Sequence, residues 1–499
     1  MSLFLGIDIG TSTAKAILFD PMTAQTLAVA TQEYPLLKPT PQQAEQNPTD
    51  WWQAVIKVVR RVTQLANRHD VVAIGLSGQM HGTVLLNNNG APIRPAIIWA
   101  DQRSQAECAE LVKPYGAQSY AAITGTLPAP GFLAATLLWL SRHEADTLAQ
   151  CHTVLLPKDY IAFCLTHELA TEVSDAAGTG IFNIQQRTWA TEIIESAGLP
   201  MKIFPRVVAS TDITGYLTTQ AATELGLPAA IPVVAGCADQ PAQAIGNGLI
   251  TAGQASITIG SGGQIFVPLA NVMTTDPRLH VFNHAVPDTW YGLGAILSAG
   301  LALRWLRDLV GLQNEANAYK ILSAEAAPLP PGAHGLIFLP YLSGERTPHM
   351  DPLARGAFIG LTAYHQRGHL ARAVMEGVAM ALRQTLELTL ALGGQVERII
   401  AAGGGADSPI WRQILADVIG LPLQQTQLAE QAGVGAALLA GIGTGYYPNF
   451  AAACGQVVRL GPLTMPNVSH RARYDELYSQ FVALYPHLKQ NFHELAGND

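Results

Sequence analysis

FLGIDIGTSTAKAILFD, residues 4–20, carries the pattern that sets the fold. Residues 4–9 and 14–19 alternate as two short strands around Gly10, Thr11, Ser12 and Thr13, which predicts a hairpin with a polar tip. A glycine beside hydroxyl residues lets backbone N–H groups converge on an anion with no side chain in the way. Asp8 places a carboxylate against that cradle. Carboxylate and phosphate repel unless a divalent cation lies between them, so the pair reads as a magnesium nucleotide site. An ordinary hairpin with a turn aspartate would use the same residues.

The device returns half a chain later. Residues 256–267, SITIGSGGQIFV, set Ile259, Gly260, Ser261 and Gly262 where Ile9, Gly10, Thr11 and Ser12 stand in the first copy. Two such hairpins predict an internal duplication. Thr258 takes the place of Asp8, so the metal is expected in the first half only, while both turns grip phosphate. A chain of 499 residues also exceeds what one core sustains. Domains are therefore expected at residues 1–248 and 249–499.

With 49% hydrophobic and only 13% charged residues, the chain suits large buried sheets and helices and not disorder. A net charge of −8 with scattered basic residues excludes nucleic acid and anionic membranes as main partners. Five cysteines without a C-x-x-C pair argue against a disulfide framework or zinc and fit a reducing cytoplasm. The apolar stretches 292–303 and 432–443 are too short to span a bilayer. Asp8 interrupts the first apolar run, so no cleaved leader is expected.

Further candidates follow in chain order. Asn47-Pro48-Thr49-Asp50 starts a helix expected over residues 47–67. A strand at 71–76 runs into Ser77-Gly78-Gln79-Met80-His81-Gly82, and the apolar run from residue 97 ends at Asp101. His81 and Asp101 then face one crevice at strand ends, where open α/β sheets bind ligands. A turn histidine and a helix-capping aspartate are the alternatives. Residues 131–165 read as helical. A strand at 231–235 opens onto Gly236-Cys237-Ala238-Asp239-Gln240. A carboxylate at such a junction can be desolvated enough to take a proton from an alcohol, or it can cap the helix. A strand at 398–402 ends in Gly403, Gly404 and Gly405 before Ser408-Pro409 opens a helix. Bare backbone there suits a flat nucleoside, with a crowded turn as the alternative.

Taken together, Asp8-x-Gly10-Thr11-Ser12, the second hairpin, Asp239 and the glycine run resemble the actin-like, ribonuclease H-like ATPase fold as used by the FGGY carbohydrate kinases. Gly356-Ala357-Phe358-Ile359-Gly360-Leu361, followed by His369-Leu370 and Ala373-Val374-Met375-Glu376, is similar to that family's second signature. The first signature is partial over residues 131–143, where Leu133 and Thr136 depart from it. The resemblance implies an α/β chain of two actin-like domains with a cleft between them, using ATP and Mg²⁺. It implies Asp239 as general base, Asp8 and Asp239 at the metal, and Thr11, Ser12, Lys15, Gly260 and Ser261 at the phosphates. Gly403, Gly404 and Gly405 would meet the adenosine, and Met80, His81, Asp101, Asp239 and Gln240 the sugar.

Gln79-Met80-His81-Gly82, Trp99-x-Asp101 and residues 156–160, 174–179 and 341–349 look like the pentulose kinases of the family. The implied reaction is phosphorylation of the 5-hydroxyl of a ketopentose, D-xylulose first, with ribulose, L-xylulose or gluconate as alternatives. Gln240 stands where asparagine is usual. A non-catalytic actin- or Hsp70-like nucleotide switch is the alternative of a different class. The expected partners are the sugar and ATP, and a homodimer is compatible with the resemblance.

Overall fold

The computed structural model describes residues 2–65 and 68–496. Strand β1 (Leu3–Ile9) and strand β2 (Thr13–Asp20) form the opening hairpin with Asp8 opposite Lys15, and β3 (Gln25–Glu33) extends it antiparallel. Helix α1 (Pro48–Thr63), capped by the Asn47 side chain, packs Trp51, Val55, Val58, Val59 and Val62 into the core that lies over β2 and β3. It ends short of residue 67; residues 66 and 67 of the expected helix lie outside the described ones. Strand β4 (Val71–Gly78) pairs parallel with β1.

Residues 131–165 are not one helical region. Helices Leu133–His143 and Ala145–Ala149 are followed by a strand, Thr153–Leu155, that pairs antiparallel with Val84–Leu86, and only then by α2 (Pro157–Thr166). β-Branched Thr153 and Val154 favour the extended backbone, and Pro157 is placed to start a helix, not to continue one. After α3 (Val173–Ala177) come β5 (Ile213–Tyr216), β6 (Pro232–Val234), the two-residue β7 (Cys237–Ala238) and α4 (Asp239–Gly246). The first sheet runs β5-β6-β4-β1-β2-β3, with β7 also on β4.

The second half repeats the plan. β8 (Gly253–Ile259) and β9 (Gly263–Leu269) form the second hairpin, extended by β10 (His280–Asn283) and β11 (Trp290–Ile296). Helices α5 (Gly300–Leu309), α6 (Ala318–Ala326) and α7 (Arg367–Leu390) lead to β12 (Val396–Ala402), α8 (Pro409–Ile419) and β13 (Leu423–Thr426). With β14 (Leu460–Thr464) the order is β10-β11-β9-β8-β12-β13-β14. In each half the first hairpin strand also lies parallel to a later strand, β1 to β4 and β8 to β12, which is the duplication the sequence suggests.

The helix over Gln431–Gly443 crosses between the halves. Although it follows β13 in sequence, it packs on β1, β4 and α4 of the first half, and Val434, Ala437 and Leu438 share a core with Phe4, Ile17 and Val234. The approach is backbone on backbone. A Cβ on Gly6 would lie 2.2 Å from the Gly433 carbonyl oxygen, and one on Gly75 would lie 1.9 Å from that of Ala436. No helix among the described residues is long and apolar enough to cross a membrane.

Gly75→Ala is expected to destabilise by about 1–3 kcal/mol or more, because backbone must move to admit the methyl. Gly455→Ala, at an exposed helical site with nothing within 4 Å, is expected to be neutral or to stabilise by up to about 1 kcal/mol. Urea-unfolding midpoints of the two variants check both.

Candidate active site

Three adjacent strands bring the acids together. Asp8 of β1 is in register with Ser77 of β4, and Ser77 is in register with Cys237 of β7 on its other side. Neighbouring strands lie about 4.8 Å apart, and Asp239 follows Cys237 by two residues as the first residue of α4. Ala238 stands at the helix cap, and Asp239 opens the helix behind it. Burial pushes the Asp239 carboxyl up to about 7; the charge on Asp8 adds to the rise, and the Gln240 N–H opposes it. Asp8 is also raised by burial, against the pull of the Ser77 hydroxyl, which donates to Oδ1 at 2.8 Å, and of the Lys15 charge.

Two half-buried carboxyl groups sharing a crevice are hard oxygen donors held at a cost. Among the described residues no cluster of three or more His, Cys, Asp or Glu could hold a metal by itself. Mg²⁺ keeps most of its waters and takes one or two carboxylates plus phosphate oxygens. Asp8 and Asp239 fit such an ion. Lys15 lies across the hairpin from Asp8, but its ammonium is paired with Glu430.

His81 is held at φ 75°, stacked on Phe132 with ring centroids 3.8 Å apart, and its Nδ1 is hydrogen-bonded to the Gly178 carbonyl. A carbonyl only accepts, so Nδ1 carries the proton and Nε2 is an acceptor. Burial pushes the imidazole pKa down to about 3, which keeps the ring neutral. Met80 beside it is buried, with its sulfur 4.0 Å from the Tyr291 hydroxyl. Gln240 lines a small cavity with Thr258 and Gln264 and so faces the second hairpin. Asp101 is held by its own partners. Its side chain is fully buried, and its carboxylate accepts from the Ala44 N–H at 2.7 Å and from Arg103 Nε at 2.9 Å and Nη2 at 2.8 Å. It braces the 97–103 loop, and Ser104 takes the cap of the following helix.

The two turns differ in detail. In the first, the Gly10 N–H bonds the Thr13 carbonyl, Thr11 Oγ1 accepts from the Trp99 indole at 2.9 Å, and Ser12 is exposed. In the second, Ser261 Oγ accepts from Arg304 at 2.9 Å, and the Ser261 carbonyl accepts from the Ala299 and Leu301 N–H groups. Gly260 and Ser261 open onto a cavity of about 830 Å³ lined also by Gly300, Gly404, Gly405 and Trp411. The glycine run divides its labour. Gly403 takes φ 80° where a Cβ would meet the Ile259 carbonyl at 2.5 Å, Gly405 lies against Ile259, and Gly404 is open, with nothing within 4 Å of a Cβ. Arg304, Arg307 and Lys320 add positive charge to the same cavity. The sequence reading missed them; the one signal was the helical spacing of Arg304 and Arg307.

The acids, the small cavity lined by Gln240 and Thr258, and the large cavity thus follow one another from the first hairpin to the second. Residues 3–246 match the N-terminal domain of the FGGY family of carbohydrate kinases, and residues 255–444 match its C-terminal domain. The chain belongs to this family and is an ATP-dependent carbohydrate kinase with the expected fold of two actin-like (ribonuclease H-like) halves. It is 39% identical over 437 residues to the xylulose kinase of Escherichia coli strain K12, 87% of this chain and 88% of that one. To the xylulose kinase of Staphylococcus epidermidis it is 34% identical over 490 residues, 97% of each chain. The solved xylulose kinase of Rhodospirillum rubrum is 34% identical with a TM-score of 0.92, covering 98% of this chain and 99% of that one.

The shared crevice makes a stability prediction for the protein without divalent cations. Below the unfolded carboxyl pKa of 3.8, wild type and Asp239→Asn carry the same charge at this site and should unfold alike. As pH rises, the unfolded carboxyl ionises first, so the margin by which the variant's Tm exceeds wild type opens above 3.8 and levels off above about 7. Calorimetric scans across this range check it, and a margin independent of pH would contradict it.

Proposed function

We propose that this chain transfers the γ-phosphoryl group of ATP to the 5-hydroxyl of D-xylulose, giving D-xylulose 5-phosphate. The observation that carries the reaction is Asp239, a carboxyl at a helix start, desolvated beside Asp8. The likeness to xylulose kinases over nearly the full chain supports the sugar. Asp239 accepts the proton of the attacking hydroxyl and orients it. Asp8, with Asp239 beside it, would hold Mg²⁺, which when bound would neutralise charge on the transferred group. His81 presents Nε2 as an acceptor for a sugar hydroxyl, with Met80 and Gln240 beside the pocket.

Thr11 and Ser12 from one turn and Gly260 and Ser261 from the other hold the phosphates, and the open face at Gly404 takes the adenosine. In this reading residues 1–248 form the sugar-binding domain and 249–499 the nucleotide-binding domain, with residues 431–443 packed on the first. Phosphoryl transfer is mostly positioning and charge stabilisation, so few reactive side chains are needed. The protein works in the cytoplasm, where ATP is available, and its five cysteines are free.

An ADP-release assay over D-xylulose, L-xylulose, ribulose and gluconate tests the reading. D-xylulose is expected to give the highest kcat/KM, with little ATP turnover in its absence. Asp239→Asn is expected to lower kcat by about 10²–10⁴-fold. Turnover of the variant near wild type would dismiss Asp239 as the base, and a preference for another sugar would overturn the substrate.

A further inference from the structure

Two motifs, residues 156–160 and 174–179, place buried polar side chains against the loop that carries Asp239. The backbone of that loop is held by hydrogen bonds on both sides. The Ala235 carbonyl accepts from Lys158 Nζ at 3.4 Å, the Gly236 N–H donates to the Ser210 carbonyl at 3.1 Å, and the Ala238 N–H donates to Ser174 Oγ at 3.2 Å. Ala238 is the residue immediately before Asp239. Gly236 is pinned as well, at φ 76° with no room for a Cβ, which would lie 2.0 Å from the Leu76 carbonyl oxygen.

Behind these contacts stands a connected network. The Ser174 hydroxyl donates to Glu172 Oε1 at 2.8 Å, so its proton is committed and its lone pairs face the Ala238 N–H. Glu172, fully buried, also accepts from the Ser174 N–H at 2.9 Å, the Asp175 N–H at 2.8 Å and the Ser210 hydroxyl at 2.5 Å. Lys158, 1% exposed, lies 2.5 Å from Asp159, 3.6 Å from Asp175 and 4.0 Å from Glu172. Buried charge is costly, and apolar packing would stabilise a core at least as well. What such a network supplies is direction: each hydrogen bond fixes an angle as well as a distance.

We propose that Ser174, oriented by Glu172 with Lys158 beside it, is a positioning residue that aims the Asp239 carboxyl through the Ala238 N–H. This role rests on the reading of Asp239 as the general base. A base displaced by about 1 Å can lose roughly 10²-fold in rate. Neither Ser174 nor Glu172 touches substrate in this account; both act through Asp239.

Steady-state kinetics of Ser174→Ala, Asp239→Asn and the double variant test it, with D-xylulose and MgATP varied in turn. Ser174→Ala is expected to lower kcat about 10–100-fold and to leave KM for ATP within about twofold. The double variant is expected to lose no more than Asp239→Asn alone, because a positioning residue has nothing left to position. Ser210→Ala, which removes another donor to Glu172 but leaves the Ala238 contact, is expected to lose less than Ser174→Ala. Wild-type kcat in Ser174→Ala beside an inactive Asp239→Asn would overturn the positioning role alone. So would losses that multiply in the double variant, or equal losses in Ser174→Ala and Ser210→Ala. An active Asp239→Asn would remove the base and the positioning role together.

Discussion

The molecule is built around a conflict: Asp8 and Asp239 are brought into one poorly hydrated crevice, where burial raises the proton affinity of both and the charge on Asp8 raises that of Asp239 further. The register of β1, β4 and β7 enforces this, since Asp8, Ser77 and Cys237 occupy neighbouring positions on adjacent strands. A cation between the acids and a proton on Asp239 are the two ways to resolve it. A kinase that holds a metal-bound phosphate donor and deprotonates an alcohol uses both.

The strands that carry the site are also those pressed by the helix over Gln431–Gly443. Gly6 and Gly75 are partners across β1 and β4, and they lie two residues before Asp8 and Ser77 respectively. Their missing side chains let the helix backbone reach the sheet, so a segment late in the sequence sets the floor beneath residues read at its start. The same helix follows Glu430, the partner of Lys15. The two halves are thus joined close to the site.

Much of this was legible from the residues. Period-two alternation around a short Gly-Thr-Ser tip defines a hairpin locally, and it did so twice, half a chain apart. Asp239 was legible because an apolar strand, a glycine and an acid stood in sequence at a helix start. The crossing of residues 431–443 was not, because an Ala- and Gly-rich helix is apolar on every side and does not announce which sheet it covers. The break at Thr153–Leu155 was hidden because the strand is only three residues long and lies between helices. Asp101 looked like a crevice residue, yet its carboxylate is bound by Arg103 and the Ala44 N–H, a partnership that needs residue 44 from another strand connection. Arg304 and Lys320 reach one cavity from two helices, and no local pattern joins them.

The most direct test is crystallographic: crystals grown with Mn²⁺, a non-hydrolysable ATP analogue and D-xylulose, measured at the manganese edge. The account predicts an anomalous peak within one water shell of the Asp8 carboxylate, flanked by the terminal phosphates, and a sugar hydroxyl within hydrogen-bond reach of Asp239. A metal peak remote from Asp8, or a sugar bound with no hydroxyl facing Asp239, would contradict it.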